Sequence, residues 1–229
     1  MNTQNPARIF VGVWKTVLEN LTYNTMSASA NSQIISDLYE KGWSVADHYI
    51  QESLRVALLD EQRDILRHGQ FRHAGIGSGD SFAIKPEIRS DKVFWMDEEL
   101  LTPLQQQYWE LADVLMQDIN QRCFLGLRSF EAHFAMYPPG SFYLRHLDQF
   151  QAVAYRVVTV ILYLNDTWED ANGGELRMYL QNENGEETHV DIFPEGGKLV
   201  VFLSGEIPHE VLPTNKERVS ITGWFKDVV

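Results

Sequence analysis

The chain changes its period near residue 127, and that change constrains the fold more than any single motif. Before it, apolar residues recur at helical spacing. Ile34, Ile35, Leu38 and Tyr39 form one face, and Gly42 should stop that helix. Trp43 to Ala46 reads as a short strand. Leu54, Val56, Leu58, Leu59, Ile65 and Leu66 indicate a second helix. The third and clearest runs from Leu101 to Cys123, with Leu104, Tyr108, Leu111, Leu115 and Ile119 three or four apart. After residue 127 the period is two. Strand candidates fall at 129–137, 143–147, 156–165, 174–180, 187–193, 198–203, 207–212 and 217–226, separated by Pro-, Asn- and Gly-rich turns. So many short antiparallel strands predict a sandwich, jelly roll or barrel. Helices gathered in front of them should pack on one outer face. The fold class is α+β.

Composition removes several classes of function. Lys and Arg number 19 against 32 Asp and Glu, a formal net charge of −13. A chain this acidic has no general attraction to phosphate backbones or anionic lipid, so neither nucleic acid nor membrane is an expected partner. Cys123 is the sole cysteine, which excludes an internal disulfide or a Cys-rich zinc site and fits a reducing, cytoplasmic setting. No apolar run reaches the ~18–20 residues a membrane span requires. Residues 1–30 read as an N-terminal extension before a domain at 31–229. Met26 opens a second plausible start, and Phe10, Val13, Trp14 and Val17 equally suit a short amphipathic helix. The Gly75–Ser81 stretch lacks the Lys-Ser or Lys-Thr of a phosphate loop and is a candidate lid.

His146-x-Asp148, followed much later by His209 and then Arg218, is the constellation with chemical content. Two His and one carboxylate form the facial triad of non-haem Fe(II) oxygenases, which leaves metal positions open. Residues i and i+2 of an extended strand point the same way, so His146 and Asp148 can reach one metal. His209 must come from a distant strand. His189-Val190-Asp191 repeats the pattern, but only one strand separates it from His209, so it reads as ordinary strand residues. Arg218 shares a strand face with Ser220, Thr222 and Trp224. An Arg facing into a barrel is costly unless it meets a carboxylate, and its planar fork suits bidentate contact. That partner is either a protein Asp or Glu or a ligand, with Ser220 and Thr222 as added hydroxyl donors.

Ordered motifs then carry a resemblance. Tyr137-Pro138-Pro139-Gly140-Ser141-Phe142-Tyr143-Leu144-Arg145-His146-Leu147-Asp148 resembles the 2-oxoglutarate- and Fe(II)-dependent prolyl 4-hydroxylases, especially the hypoxia-inducible-factor type and its bacterial relatives. So do Ile161–Trp168, Gly173–Arg177, Pro208–Pro213, Arg218–Phe225 and, upstream, Ile88–Trp95. The resemblance implies a double-stranded β-helix (jelly-roll) core over 127–229, with helical support over 31–126 packed on one face. It implies that His146, Asp148 and His209 hold Fe(II). Arg218 would grip the distal carboxylate of 2-oxoglutarate, with Tyr163 and Thr222 beside it and Tyr137 lining the same pocket. Arg156, Trp224, Tyr143, Arg89 and Asp91 match substrate-side positions. Dioxygen completes the set of cosubstrates, and ascorbate is a further candidate cofactor.

The implied reaction hydroxylates C4 of a prolyl residue in a protein or peptide, with release of succinate and carbon dioxide. Bacterial relatives of this type suggest a translation elongation factor as substrate. The chain departs from the family pattern in a shorter Pro138–Ser141 loop, in Ser220 where the animal enzymes have a small apolar residue, and in the 149–154 turn. These departures bear on substrate identity and leave the iron and cosubstrate roles intact. The competing readings are an oxygenase of the same superfamily acting on a free amino acid or other small molecule, and a non-catalytic cupin-like metal-binding module.

Overall fold

The computed structural model describes residues 29–76, 83–149 and 154–229. The helix expected near residue 10, the Met26 start and most of the Gly75–Ser81 loop lie outside them. Helix α1 spans 29–41 and ends at Gly42, which takes φ +80° and returns its N–H to the Leu38 carbonyl at 3.1 Å. Strand β1 (Trp43–Ala46) and helix α2 (Glu52–Arg67) follow. Two short strands, β2 (Arg72–His73) and β3 (Lys92–Trp95), precede helix α3 (Pro103–Cys123). Thr102 and Gln105 close a reciprocal capping box at the start of α3, with Pro103 in the first turn. The remaining strands are β4 (Ser129–Tyr137), β5 (Tyr143–His146), β6 (Arg156–Tyr163), β7 (Leu176–Gln181), β8 (Glu187–Ile192), β9 (Leu199–Leu203), β10 (His209–Val211) and β11 (Arg218–Lys226). Each falls within a residue or two of its expected span.

The strands form two sheets. The larger has the order β1-β9-β6-β11-β4-β3-β2 and the smaller β5-β10-β7-β8. This is the expected jelly-roll core. Alternation along the larger sheet separates its faces. Phe134, Val160, Leu162, Val201, Val219, Ile221 and Phe225 point outward and pack with Ile34, Leu38, Leu58, Tyr108, Leu115 and Ile119 of the helices. Inward, Ile161, Tyr163, Val200 and Phe202 meet Leu176, Met178 and Ile192 of the smaller sheet.

Two expectations needed correction. Tyr39 does not join the apolar face of α1; it is 83% exposed, because Ile34, Ile35 and Leu38 already fill the stripe against the sheet. The helical half is also not purely helical beyond β1. β2 and β3 extend the larger sheet past β4, with Val93 opposite Ala135 and Trp95 opposite His133. Runs of two and four residues are too short to show a period, and their register comes from β4.

Candidate active site

The inner face of the larger sheet is laid out in cross-strand rows. Tyr137 lies opposite Arg218; Ser220 lies between Ala135 and Tyr163, and Thr222 between His133 and Ile161. Glu131 lies opposite Trp224, which lies opposite Thr159. The smaller sheet faces these rows and brings His146 of β5 directly across from His209 of β10. Four strands separate the two histidines in the chain, yet pairing makes them neighbours. A cavity of about 840 Å³ opens between the sheets.

His146, Asp148 and His209 present donor atoms that all lie within 4.8 Å of one another. His146 Nε2 is 3.5 Å from Asp148 Oδ1, and His209 Nε2 is 3.6 Å from Asp148 Oδ2. Each imidazole is oriented by the backbone carbonyl two residues before it. His146 Nδ1 meets the Leu144 carbonyl at 2.8 Å, and His209 Nδ1 meets the Ile207 carbonyl at 3.0 Å. A carbonyl only accepts, so Nδ1 carries the proton and Nε2 offers its lone pair to the centre. Burial would raise the Asp148 carboxyl, but His209 and His146 beside it win and hold it well below the usual carboxylate range. The Trp224 indole N–H approaches the same carboxylate without closing a hydrogen bond of ordinary geometry. Burial, aided by the neighbouring His146, pushes His209 down to about 4. A carboxylate kept ionised and a His209 kept neutral, with both Nε2 atoms free, fit a divalent metal.

Arg218 is 2% exposed. Its Nε donates to the Gly174 carbonyl at 2.9 Å and its Nη2 to the Tyr163 hydroxyl at 3.2 Å. The guanidinium lies 4.9 Å from the centroids of both the Tyr137 and Tyr163 rings. Among the described residues no acidic side chain pairs with it, so a buried cation faces the cavity with its charge unmatched. Gly174 takes φ +73°, and a Cβ there would sit 2.9 Å from Thr214 and 3.3 Å from Arg218 Cδ, so the turn needs glycine to admit the arginine. Ser220 Oγ and Thr222 Oγ1 lie 3.4 Å apart on the same face.

The substrate-side candidates gather at the same cavity in two groups. Arg89 forks onto Asp91 at 2.8 and 2.6 Å and covers the Tyr143 ring at 4.2 Å. Tyr143 in turn stacks on His146, with ring centroids 3.6 Å apart. Asp91 is fully buried and holds Arg89 without lining the cavity itself. On the other wall Arg156 lies 3.7 Å over Trp224, its Nε 2.8 Å from Glu131. The His189-x-Asp191 repeat stays apart: Asp191 is forked by Arg177 at 2.8 and 2.7 Å.

Thr159, Ser204, His133, Trp95 and Glu131 complete the site and were not singled out from sequence. Thr159 had a signal: it is the one polar residue in the run Val157–Leu164, apart from Tyr163, and its alternation faces the cavity.

The fold and its metal-ready triad define a class, and residues 132–226 match the 2OG-Fe(II) oxygenase superfamily. Oxygenases of that superfamily use Fe(II), 2-oxoglutarate and dioxygen. A crystal structure of a Pseudomonas putida prolyl-4-hydroxylase is 42% identical with a TM-score of 0.75, covering 87% of this chain and 100% of that one. A Trichoplax adhaerens prolyl hydroxylase, solved with a hypoxia-inducible-factor oxygen-degradation-domain peptide, is 27% identical, TM-score 0.78, covering 89% and 91%. The hypoxia-inducible factor prolyl hydroxylase of Caenorhabditis elegans is 33% identical over 211 residues, 85% of this chain; the chain spans 28% of that protein's length. The chain belongs to the 2-oxoglutarate- and Fe(II)-dependent prolyl hydroxylase family of dioxygenases.

Proposed function

We propose that this protein hydroxylates C4 of a prolyl residue in a protein substrate, with release of succinate and carbon dioxide. The observation that carries the reading is one cavity holding both a His146–Asp148–His209 donor set and a buried Arg218 with no acidic partner among the described residues. His146, Asp148 and His209 hold the iron, the two histidines through Nε2 atoms fixed by backbone carbonyls at Nδ1. Arg218 forks onto the distal carboxylate of 2-oxoglutarate, with Tyr163, Thr222 and Ser220 beside it and Tyr137 as a wall. When bound, Fe(II) and 2-oxoglutarate supply the oxidising chemistry with dioxygen. The protein supplies position and exclusion of water. Trp224 and Arg156 form one wall for the prolyl residue; Tyr143 and Arg89, braced by Asp91, form the other.

A translation elongation factor, the substrate that the family resemblance suggests, is the first protein to try. The likeness to the Trichoplax adhaerens prolyl hydroxylase solved with a peptide of the hypoxia-inducible factor supports a peptide over a free amino acid. Residues 31–229 act as one oxygenase domain in this reading.

The test is succinate formation from 2-oxoglutarate with Fe(II), air and a pool of proline-containing peptides. Wild type should form succinate and add one oxygen to a peptide. Asp148→Ala should do neither. Succinate formation by both proteins would remove the triad from the reaction.

A further inference from the structure

Among the described residues, hydrogen bonds of ordinary geometry reach one oxygen of Asp148. Thr159 Oγ1 donates to Asp148 Oδ2 at 2.9 Å, and Ser204 Oγ lies 2.8 Å from Thr159 Oγ1. All three side chains are buried. An ionised carboxylate accepts and never donates, so the Thr159 proton points at Asp148. Thr159 has no second proton, so Ser204 must be the donor of the next bond. The direction of the relay is therefore fixed, Ser204 to Thr159 to Asp148. Ser204 also steadies the backbone at the same place: its carbonyl accepts the N–H of Gln149, the residue after Asp148, at 3.2 Å, and its own N–H is held by the Val157 carbonyl at 3.0 Å. Each oxygen faces one imidazole, Oδ1 at 3.5 Å from His146 Nε2 and Oδ2 at 3.6 Å from His209 Nε2. The difference is the hydroxyl: among the described residues no hydrogen bond of ordinary geometry reaches Oδ1.

The geometry points to a positioning role: Thr159, directed by Ser204, occupies Oδ2 so that Asp148 meets the metal through Oδ1 alone. A facial triad works because it leaves positions open for cosubstrate and dioxygen. A carboxylate that swung to offer both oxygens would close one of them. The hydroxyl prevents this by making Oδ2 the acceptor of a buried bond whose loss would strand a donor. The inference rests on the proposed metal site and adds a device that keeps the site open.

The test uses the full chain with Co(II) as the probe and reads Co(II) affinity and the visible spectrum, before and after 2-oxoglutarate. Thr159→Val keeps the shape and removes the hydroxyl; Thr159→Ser keeps the hydroxyl. Thr159→Val should weaken Co(II) binding about 10–100-fold, the usual cost of losing an outer partner of a ligand. It should also fail to show the spectral change that 2-oxoglutarate causes in wild type. Thr159→Ser should retain both. Ser204→Ala should shift both readouts in the same direction by less, and it stands as the independent variant where Thr159→Val does not fold. Wild-type affinity and spectrum in Thr159→Val or in Ser204→Ala would overturn the inference. So would a lower melting temperature of the metal-free variant with unchanged Co(II) binding. Absence of Co(II) binding by wild type would instead sink the metal reading itself.

Discussion

Two buried arginines show how differently this molecule uses the same side chain. Arg55, on α2, is fully partnered. It reaches Glu52 at 2.7 and 2.5 Å, Asp166 at 3.3 Å, and the carbonyls of Leu164 and Asn165 at 2.5 and 2.9 Å. It ties the helical layer to the end of β6, and nothing is left over for a ligand. Arg218, on β11, has one carbonyl, one phenol and two aromatic faces. Its charge is unmatched within the described protein. A buried cation persists only where something answers it. Arg55 finds its answer in the fold; for Arg218 the proposed answer is the 2-oxoglutarate carboxylate.

The largest effect should break the pair apart. Arg218→Ala should weaken 2-oxoglutarate binding about 100-fold, the worth of a charge-assisted fork, and leave metal affinity within a few-fold. Arg55→Ala should do the reverse, costing about 2–4 kcal/mol of stability with 2-oxoglutarate affinity unchanged. Calorimetric titration and urea unfolding of both variants decide. Equal loss of cosubstrate and metal by Arg218→Ala would make that arginine structural, like Arg55.

Ile221 and Thr222 repeat the contrast on adjacent residues of one strand. Ile221 points into the helical layer and is fully buried. Ile221→Ala should lower stability by about 2–5 kcal/mol through lost burial and a residual cavity. Ligand affinities measured well below the melting temperature should stay as they are. Weaker 2-oxoglutarate binding in this variant would mean that the two faces of the sheet are not independent.

The buried histidines carry the contrast into pH. His133 and His209 are each held down to about 4 by burial, against an ordinary value of 6.5. A group whose folded pKa is depressed takes its proton more readily when unfolded. The stability at stake is full above pH 6.5 and falls as the pH drops toward 4. Each histidine should cost about 2 kcal/mol by pH 5. Asp148, depressed below its own ordinary range, acts at lower pH and stays out of this window. His133 sits between Trp95 and Trp224 and is not one of the three ligand residues. His133→Phe in the metal-free protein should therefore lose about 2 kcal/mol less than wild type between pH 7 and 5. An unchanged acid limb would show that His133 is not buried as a neutral ring in solution.

Much of this was legible beforehand because alternation and turn chemistry are local. The strands after residue 127 repeat every two residues and are punctuated by Pro and Gly, so their bounds came out nearly right. His146, Asp148, His209 and Arg218 could be named because metal ligation and carboxylate binding accept few residue types. β2 and β3 were not legible, since their register belongs to β4. Nor was the Glu131–Arg156 pair, since a salt bridge between two strands leaves no mark in either one. Thr159 lay in between: its inward polar hydroxyl was visible in the period, but its partner Asp148 was not.

The smallest effect probes the residue next to Ile221. Thr222 lines the same cavity as Arg218, and its hydroxyl is 3.4 Å from that of Ser220. Thr222→Val keeps the volume and removes one donor. On the outward face a swap of this size would change packing; here it should cost little stability, about 0.5 kcal/mol or less, because one wall of the residue is open to the cavity. Its effect should fall on the cosubstrate. One hydrogen bond contributes about 1 kcal/mol, so 2-oxoglutarate affinity should drop about 5-fold. The ratio of the two losses is the informative quantity. Ile221→Ala should move stability alone and Thr222→Val affinity alone, though their backbones are joined by one peptide bond. A Thr222→Val protein that is destabilised yet binds 2-oxoglutarate normally would place the hydroxyl in the fold, and Ser220 would then be its only purpose.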